Sequence, residues 1–292
     1  TPILFFTSKG MVYQLKCYRL PLGSPQSIGK AMVNLLPIAT GEHIQAVMPM
    51  PHDKGSWDEL NIVFATSLGS IRRNKLSDFI NIKRNGKIAI KLSDNDRLIG
   101  VTTCDNDAQV LLASNNGKAI RFSIKQIRVF KGRDSSGVRG IKLLNNDRVV
   151  SMSVIANEST EYVLSICENG YGKRTKVKDY RETGRGGVGV ANIETSHRNG
   201  NVVASFTVFE TDQIMLVTIS GQIIRIRIDG NDGDNIRITG RKTQGVRLFE
   251  LSEDEKVVSV AIIREDDNEN SESPEISKII DEEIVSPDNE VN

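Results

Sequence analysis

Short apolar runs recur along this chain in a fixed relation to a glycine. Segments 3–18, 62–79, 110–127, 163–180 and 214–228 align without gaps around Gly10, Gly69, Gly117, Gly170 and Gly221, spaced 59, 48, 53 and 51 residues apart. Seven to five residues before each glycine stand Ile3-Leu4-Phe5, Ile62-Val63-Phe64, Val110-Leu111-Leu112, Val163-Leu164-Ser165 and Ile214-Met215-Leu216. These runs favour strands, and three residues before the glycine the chain has Thr7, Thr66, Ser114, Cys167 or Thr218, small and mostly hydroxylic. A glycine supplies the positive φ of a tight hairpin turn. Each segment therefore predicts a strand, a turn and a returning strand.

A second half of each unit aligns as well. Four and six residues after Gly29, Gly86, Gly137, Gly187 and Gly245 come Val33/Leu35, Ile90/Leu92, Ile141/Leu143, Ala191/Ile193 and Phe249/Leu251, a period of two with one buried face. Apolar runs at 44–48, 98–101, 149–154, 202–206 and 257–262 close the units. Four short strands in about 50 residues is the content of one propeller blade. The expected fold is all-β, a propeller-like wheel of five visible repeats near 1–50, 60–104, 108–156, 161–210 and 212–263, within one domain of residues 1–263.

Charge changes this picture. The 292 residues hold 38 Lys+Arg and 37 Asp+Glu, and 38% are hydrophobic, enough for a sizeable core. The near-neutral total hides a split, because residues 264–292 carry eleven acidic and two basic side chains. The body is left with ten more cations than anions, and the tail is expected to be acidic and disordered. No apolar run approaches the ~18 residues of a membrane span, so a soluble cytoplasmic protein without membrane partners is expected. The chain opens on an apolar run without Met, as a fragment of a longer protein would. Cys17, Cys104 and Cys167 are odd in number and widely spaced, and His43, His52 and His197 have no partner at metal or triad spacing. No disulfide framework, metal site or catalytic constellation is expected.

The returning strands carry the chemistry. Four residues after each turn glycine stand Gln14, Arg73, Arg121, Arg174 and Arg225, and six after stand Lys16, Lys75, Ser123, Lys176 and Arg227. Residues two apart on a strand share a side, so paired cations are expected on one face of successive blades. That predicts a curved basic belt, whose natural ligand is a polyanion bent around it. Loops between the halves add Lys83-Arg84-Asn85-Gly86-Lys87, Lys131-Gly132-Arg133 with Arg139, Arg181 with Arg185-Gly186-Gly187, and Arg241-Lys242 with Arg247. Glycine beside arginine lets backbone N–H groups approach phosphate oxygens while the guanidinium forks onto them. At 5% aromatic content, stacking of single-stranded bases is disfavoured, and duplex backbone is the better target.

Val33-Asn34-Leu35-Leu36-Pro37, Asn169-Gly170-Tyr171-Gly172-Lys173-Arg174-Thr175, Gly137-Val138-Arg139-Gly140-Ile141 and Thr211-Asp212-Gln213-Ile214-Met215 resemble the C-terminal domain of the bacterial DNA gyrase A protein, from about residue 1 to 264. The resemblance implies a β-pinwheel, a wheel in which neighbouring repeats exchange strands. It implies a basic rim that wraps duplex DNA and supports ATP-dependent negative supercoiling by a type II topoisomerase. The implied partners are double-stranded DNA, the rest of the gyrase A protein as a homodimer, and the gyrase B protein, in the bacterial cytoplasm at the nucleoid. The implied catalytic tyrosine, ATP and Mg²⁺ sites belong to other domains, so this chain is expected to hold no cofactor. The family's first repeat, with a Gln-Arg-Arg-Gly-Gly-x-Gly box, is expected upstream; the nearest relative here is Gly184-Arg185-Gly186-Gly187-Val188-Gly189.

The expected DNA-binding set is thus Lys16, Arg73, Lys75, Lys83, Arg84, Lys87, Arg121, Lys131, Arg133, Arg139, Lys173, Arg174, Lys176, Arg181, Arg185, Arg225, Arg227, Arg241, Lys242 and Arg247. Two alternatives remain open. One is the equivalent DNA-binding domain of topoisomerase IV, and the other is a protein-interaction propeller. Asp229-Gly230-Asn231-Asp232-Gly233-Asp234 resembles the start of a calcium loop, but the twelfth position is Gly240 where a bidentate Glu is required, and a polar turn is the better reading.

Overall fold

The five turn glycines lie at φ values of 76° to 85°, and each joins two antiparallel strands. The structure is a computed structural model that describes residues 1–24, 27–155, 159–229, 236–252 and 254–264. Most of the polar turn at 229–234 and nearly all of the acidic tail lie outside the described residues. Repeat 1 contributes β1 (Pro2–Thr7), β2 (Met11–Lys16) and β3 (Ile44–Pro49). Repeat 2 contributes β4 (Asn61–Thr66), β5 (Ser70–Lys75), β6 (Lys87–Ile88) and β7 (Leu98–Cys104). In repeat 3 the strands are β8 (Gln109–Ser114), β9 (Lys118–Ser123), β10 (Val129–Phe130), β11 (Val138–Arg139) and β12 (Val149–Ile155). Repeat 4 has β13 (Tyr162–Cys167), β14 (Tyr171–Lys176), β15 (Val190–Ala191) and β16 (Val202–Val208). Repeat 5 has β17 (Gln213–Thr218), β18 (Ile223–Arg227), β19 (Val246–Arg247) and β20 (Val257–Ile263).

The hydroxyl before each turn has a defined task. Backbone N–H groups of Met11, Ser70, Lys118 and Gln222 each donate to the side-chain oxygen of Thr7, Thr66, Ser114 and Thr218 at 3.2 Å. A buried N–H at a turn must find a partner, and a hydroxyl four residues earlier supplies it locally. In repeat 4 the position is Cys167, whose thiol burial pushes up to about 12.

These hairpins build five small sheets arranged in a ring. Their orders are β3-β1-β2-β6, β7-β4-β5-β10 with β11 also on β5, β12-β8-β9-β15, β16-β13-β14-β19 and β20-β17-β18. The closing strands β3, β7, β12, β16 and β20 are innermost, and each packs on the next in that order. They line a central space of about 450 Å³ with Gln45, Ile99, Met152, Val203 and Phe206 among its walls. The apolar core lies between blades. Phe6 of blade 1 meets Phe64 and Phe79 of repeat 2 at ring-centroid distances of 5.7 and 6.0 Å, all three fully buried. Burying each such ring contributes roughly 1.5–3 kcal/mol.

The second half of repeats 2 to 5 does not complete its own blade, as reading four strands per unit would have it. It crosses to the preceding one: Met11 pairs with Ile88, Ile71 with Val138, Ala119 with Val190 and Tyr171 with Arg247. Adjacent repeats therefore exchange strands. The crossing is sterically tight, since a Cβ on Gly117 would fall 2.1 Å from the Ile193 carbonyl oxygen and one on Gly189 2.4 Å from that of Ala119. Repeat 1 departs from the expected period-two strand. Met32–Asn34 forms a short 3-10 turn and Val33 is 63% exposed, because no preceding blade edge is present among the described residues. Leu36 is instead buried against repeat 1's own sheet, and Tyr13 Oη donates to the Pro37 carbonyl at 3.1 Å. At the other end of the series, β18 receives no donated strand among the described residues.

Candidate nucleic-acid interface

Repeats 3, 4 and 5 each send an arm from the returning strand over the preceding blade. The arm begins with a 3-10 turn, Ile124–Gln126 in repeat 3 and Val177–Asp179 in repeat 4. It then runs parallel to the returning strand below it, with Val129 opposite Arg73, Glu182 opposite Arg121 and Ile238 opposite Arg174.

This arrangement corrects the expected belt. Arg73, Arg121 and Arg174 are only 5%, 5% and 3% exposed, because the next repeat's arm covers them. Arg73 Nη1 donates to the Ile124 and Ile127 carbonyls at 3.2 and 3.5 Å. Arg121 Nη1 donates to Val177 and Tyr180 at 3.1 Å each, and Arg174 Nε donates to Ile236 at 2.6 Å. Lys173 is fully buried too, its ammonium bonded to the Gly240 and Arg241 carbonyls at 2.6 and 2.8 Å. A buried cation can satisfy backbone carbonyls left without partners, and these four fasten one repeat to the next. All four are covered rather than displayed on the surface.

The other predicted cations stand outside. Lys16, Lys83, Arg84, Lys131, Arg139, Lys176, Arg181, Arg185, Arg225, Arg227, Lys242 and Arg247 are exposed, and Lys75, Lys87, Arg133 and Arg241 are half-buried. Several are held in place. Lys75 donates to the Asp58 carbonyl at 2.8 Å and Lys87 to that of Asn81 at 2.7 Å. Arg185 donates to the Gln126 and Arg139 carbonyls at 2.9 and 3.1 Å, tying its loop to that of repeat 3. Arg241 donates to Ala191 at 2.9 Å. Arg247 pairs with Glu250 at 3.4 Å and donates to Tyr171 Oη at 3.3 Å; hydrogen bonds from Arg198 and Arg247 hold the Tyr171 hydroxyl below its ordinary range.

Further exposed cations escaped the register argument, Arg128, Lys178 and Arg237 in the arms and Arg19 and Lys30 after the returning strand of repeat 1. Arg128 stacks over the Phe130 ring at 4.4 Å. Their only sequence signal is position after the returning strand of a repeat. Fixed exposed guanidinium and ammonium groups at the same station of successive repeats can neutralise a curved row of phosphates. Among the described residues no cluster of three or more His, Cys, Asp or Glu side chains could hold a metal ion. No helix among them is long and apolar enough to cross a membrane.

Comparison with known proteins bears on the family and the fold. The family model described as the DNA gyrase C-terminal domain, a β-propeller, matches residues 1–49, 60–105, 108–156, 161–208 and 212–264. The DNA gyrase A protein of Rickettsia bellii (strain RML369-C) is 40% identical over 329 residues, covering 97% of this chain and 36% of the relative. That of Staphylococcus aureus (strain MRSA252) is 42% identical over 270 residues, covering 92% of this chain and 30% of the relative. The chain thus spans about a third of the length of the curated relatives it matches. Among solved structures, the C-terminal domain of DNA topoisomerase IV superposes with a TM-score of 0.80 at 23% identity, covering 90% of this chain and 79% of that one. The DNA gyrase A C-terminal domain superposes with a TM-score of 0.72 at 24% identity, covering 90% and 82%. At these identities the two structures establish the fold alone.

Proposed function

As the chain belongs to the DNA gyrase C-terminal domain family, we propose that its rim binds duplex DNA through the phosphates and bends it around the wheel. The observation that carries this reading is the recurrence of exposed cations after the returning strands of successive repeats, from Lys83 and Arg84 through Lys131 and Arg139, Arg181 and Arg185, to Lys242 and Arg247. The contacts are cations meeting phosphates, so binding is sequence-independent and salt-dependent. In the longer protein the wheel would present a wrapped segment to the rest of the gyrase A protein, a homodimer working with the gyrase B protein in the bacterial cytoplasm and nucleoid. Strand cleavage, ATP and Mg²⁺ chemistry, and hence negative supercoiling, would reside in those other parts. The identity of about 40% with curated gyrase A proteins supports gyrase over topoisomerase IV.

The test is a duplex titration across salt concentrations together with ligation of nicked circles in the presence of the chain. Neutralising six to eight phosphates gives a slope of log K against log salt of roughly −5 to −7, and wrapping gives a shift in linking number after ligation. A flat salt dependence overturns the rim reading; salt-dependent binding without a linking-number shift overturns wrapping.

A further inference from the structure

Two cations that sequence position would place on strands lie beneath the rim loops with the loop carbonyls turned onto them. Arg72, fully buried on β5, donates to the Arg133 and Ser135 carbonyls at 2.7 and 2.6 Å and to that of Gly132. Lys173, fully buried on β14, does the same for Gly240 and Arg241. Both occupy the third residue after a turn glycine, and both reach into the next repeat. Above Arg72 stand Lys131 and Arg133; above Lys173 stand Arg241 and Lys242.

Carbonyls converging on one point repel each other, and a group with several donors and positive charge holds them best; the Asn74 amide helps at Gly132 at 2.8 Å, the Lys91 N–H at Ser135 at 3.3 Å and the Thr243 hydroxyl at Gly240 at 3.0 Å. The consequence lies on the other side of each peptide. No peptide bond among the described residues is cis, and in a trans peptide the N–H points opposite to the C=O. With the carbonyls of 132, 133 and 135 facing inward, the N–H groups of Arg133, Asp134 and Ser136 face out; likewise those of Arg241 and Lys242. None of these five N–H groups has an acceptor among the described residues. Outward rows of backbone N–H make anion-binding concavities.

We propose that these two loops seat DNA phosphates on their backbone N–H groups, and that Arg72 and Lys173 are the positioning residues that orient them without touching the DNA. This rests on the DNA-binding reading and adds a contact that needs no exposed side-chain charge. Blade 3 provides an internal contrast. Its corresponding residue is Ile120, and the loop of repeat 4 directs its N–H groups inward: Arg185 N–H donates to Gln126 Oε1 at 2.8 Å and Gly186 N–H to the Gly140 carbonyl at 2.6 Å. In the first loop the exposed Asp134 carboxylate opposes an incoming phosphate; residues 240–242 hold no acid.

The experiment titrates the ¹⁵N-labelled full chain with a short mixed-sequence duplex and follows amide shifts. Expected are large shifts at Arg133, Asp134, Ser136, Arg241 and Lys242 and small ones at Arg185 and Gly186. Arg72→Met should shrink the shifts at 133–136, most at Asp134, whose peptide carbonyl partner Arg133 is held by Arg72, and weaken binding by about tenfold, the effect of losing one to two charge-assisted hydrogen bonds, while Arg72→Lys restores both. Asp134→Asn should tighten binding, and it keeps the test decisive if Arg72→Met fails to fold. Duplex binding without shifts at these amides, or Arg72→Met binding like the native chain, overturns the proposal alone. Absence of any duplex binding at low salt overturns the functional reading on which it rests.

Discussion

Gln213 holds Arg225 as Gln109 holds Arg121: in each pair the glutamine Oε1 accepts from the arginine Nε at 2.6 Å. The shared geometry ends at that bond. Arg121 goes on to grip the Val177 and Tyr180 carbonyls of the next repeat, whereas Arg225 is exposed and has no further partner among the described residues.

The two arginines therefore differ in what their loss does. Arg121→Ala removes a buried guanidinium from the Val177 and Tyr180 carbonyls; the Tyr180 N–H still donates to Val177 at 3.0 Å, but the Tyr180 carbonyl loses its donor, which costs about 1–3 kcal/mol. Arg225→Ala changes stability by no more than about 0.5 kcal/mol. Urea unfolding of both variants, followed by far-ultraviolet circular dichroism, checks the contrast. Equal destabilisation would contradict the clamp assigned to Arg121.

The exposed cations should act on DNA in the opposite sense. Replacing Lys83, Arg84, Lys131, Arg139, Arg181 and Lys242 by Ala, singly and together, should leave the unfolding midpoint nearly unchanged. Affinity should fall equally for unrelated duplex sequences, and the salt slope should shrink by about one for each phosphate contact removed. Fluorescence anisotropy at several salt concentrations measures both. Sequence-dependent losses would point to base contacts instead.

Gly117→Ala should break the crossing between blade 3 and repeat 4. Its φ of +76° is unfavourable for alanine, and the new methyl would meet the Ile193 carbonyl oxygen at 2.1 Å. Strain of this kind costs on the order of 1–3 kcal/mol before the clash is counted. Hydrogen exchange should show the Asn192 and Ile193 amides, which donate to the Gly117 carbonyl at 2.8 and 3.3 Å, losing protection first.

Stability should also depend on pH through Lys173. Burial, then the neighbouring Arg241 charge, pulls its ammonium from 10.5 to about 8. The folded chain thus binds this proton less tightly than the unfolded chain, so the charged lysine opposes folding below pH 8 and the penalty fades between pH 8 and 10.5. Cys104 and Cys167 work the other way: burial raises them from 9.0 to about 11 and about 12, and stability is lost as unfolded thiols ionise above pH 9. The difference between native chain and Lys173→Met isolates the lysine. The native chain should gain stability relative to the variant from pH 8 to 10.5; a flat difference would show that the ammonium bears no such penalty.

The charge split makes a prediction for the segment outside the described residues. Eleven acids within residues 264–292, joined to a basic body, should lower duplex affinity most at low salt, where screening is weakest. Deleting everything after Ile263 should tighten binding, with a gain that shrinks as salt rises. A charge-matched scrambled tail separates competition for the rim from general repulsion, and unchanged affinity at low salt would dismiss the effect.

Local chemistry sufficed for the repeat itself. Turn glycines at positive φ, the hydroxyl four residues before a turn N–H, and the alternating apolar strands all act within about ten residues, so their pattern determines hairpin, turn and inner strand directly. What lies above a strand is another matter. Arg73, Arg121, Arg174 and Arg225 occupy the same register in the same kind of hairpin, yet three are buried and one is exposed. A period of two separates the faces of a strand without saying which face is covered. Here the cover is an arm from the next repeat, some fifty residues later, and none lies over β18 among the described residues. Only the tertiary structure, by placing that arm, decided which cations fasten the wheel and which remain free to meet a polyanion.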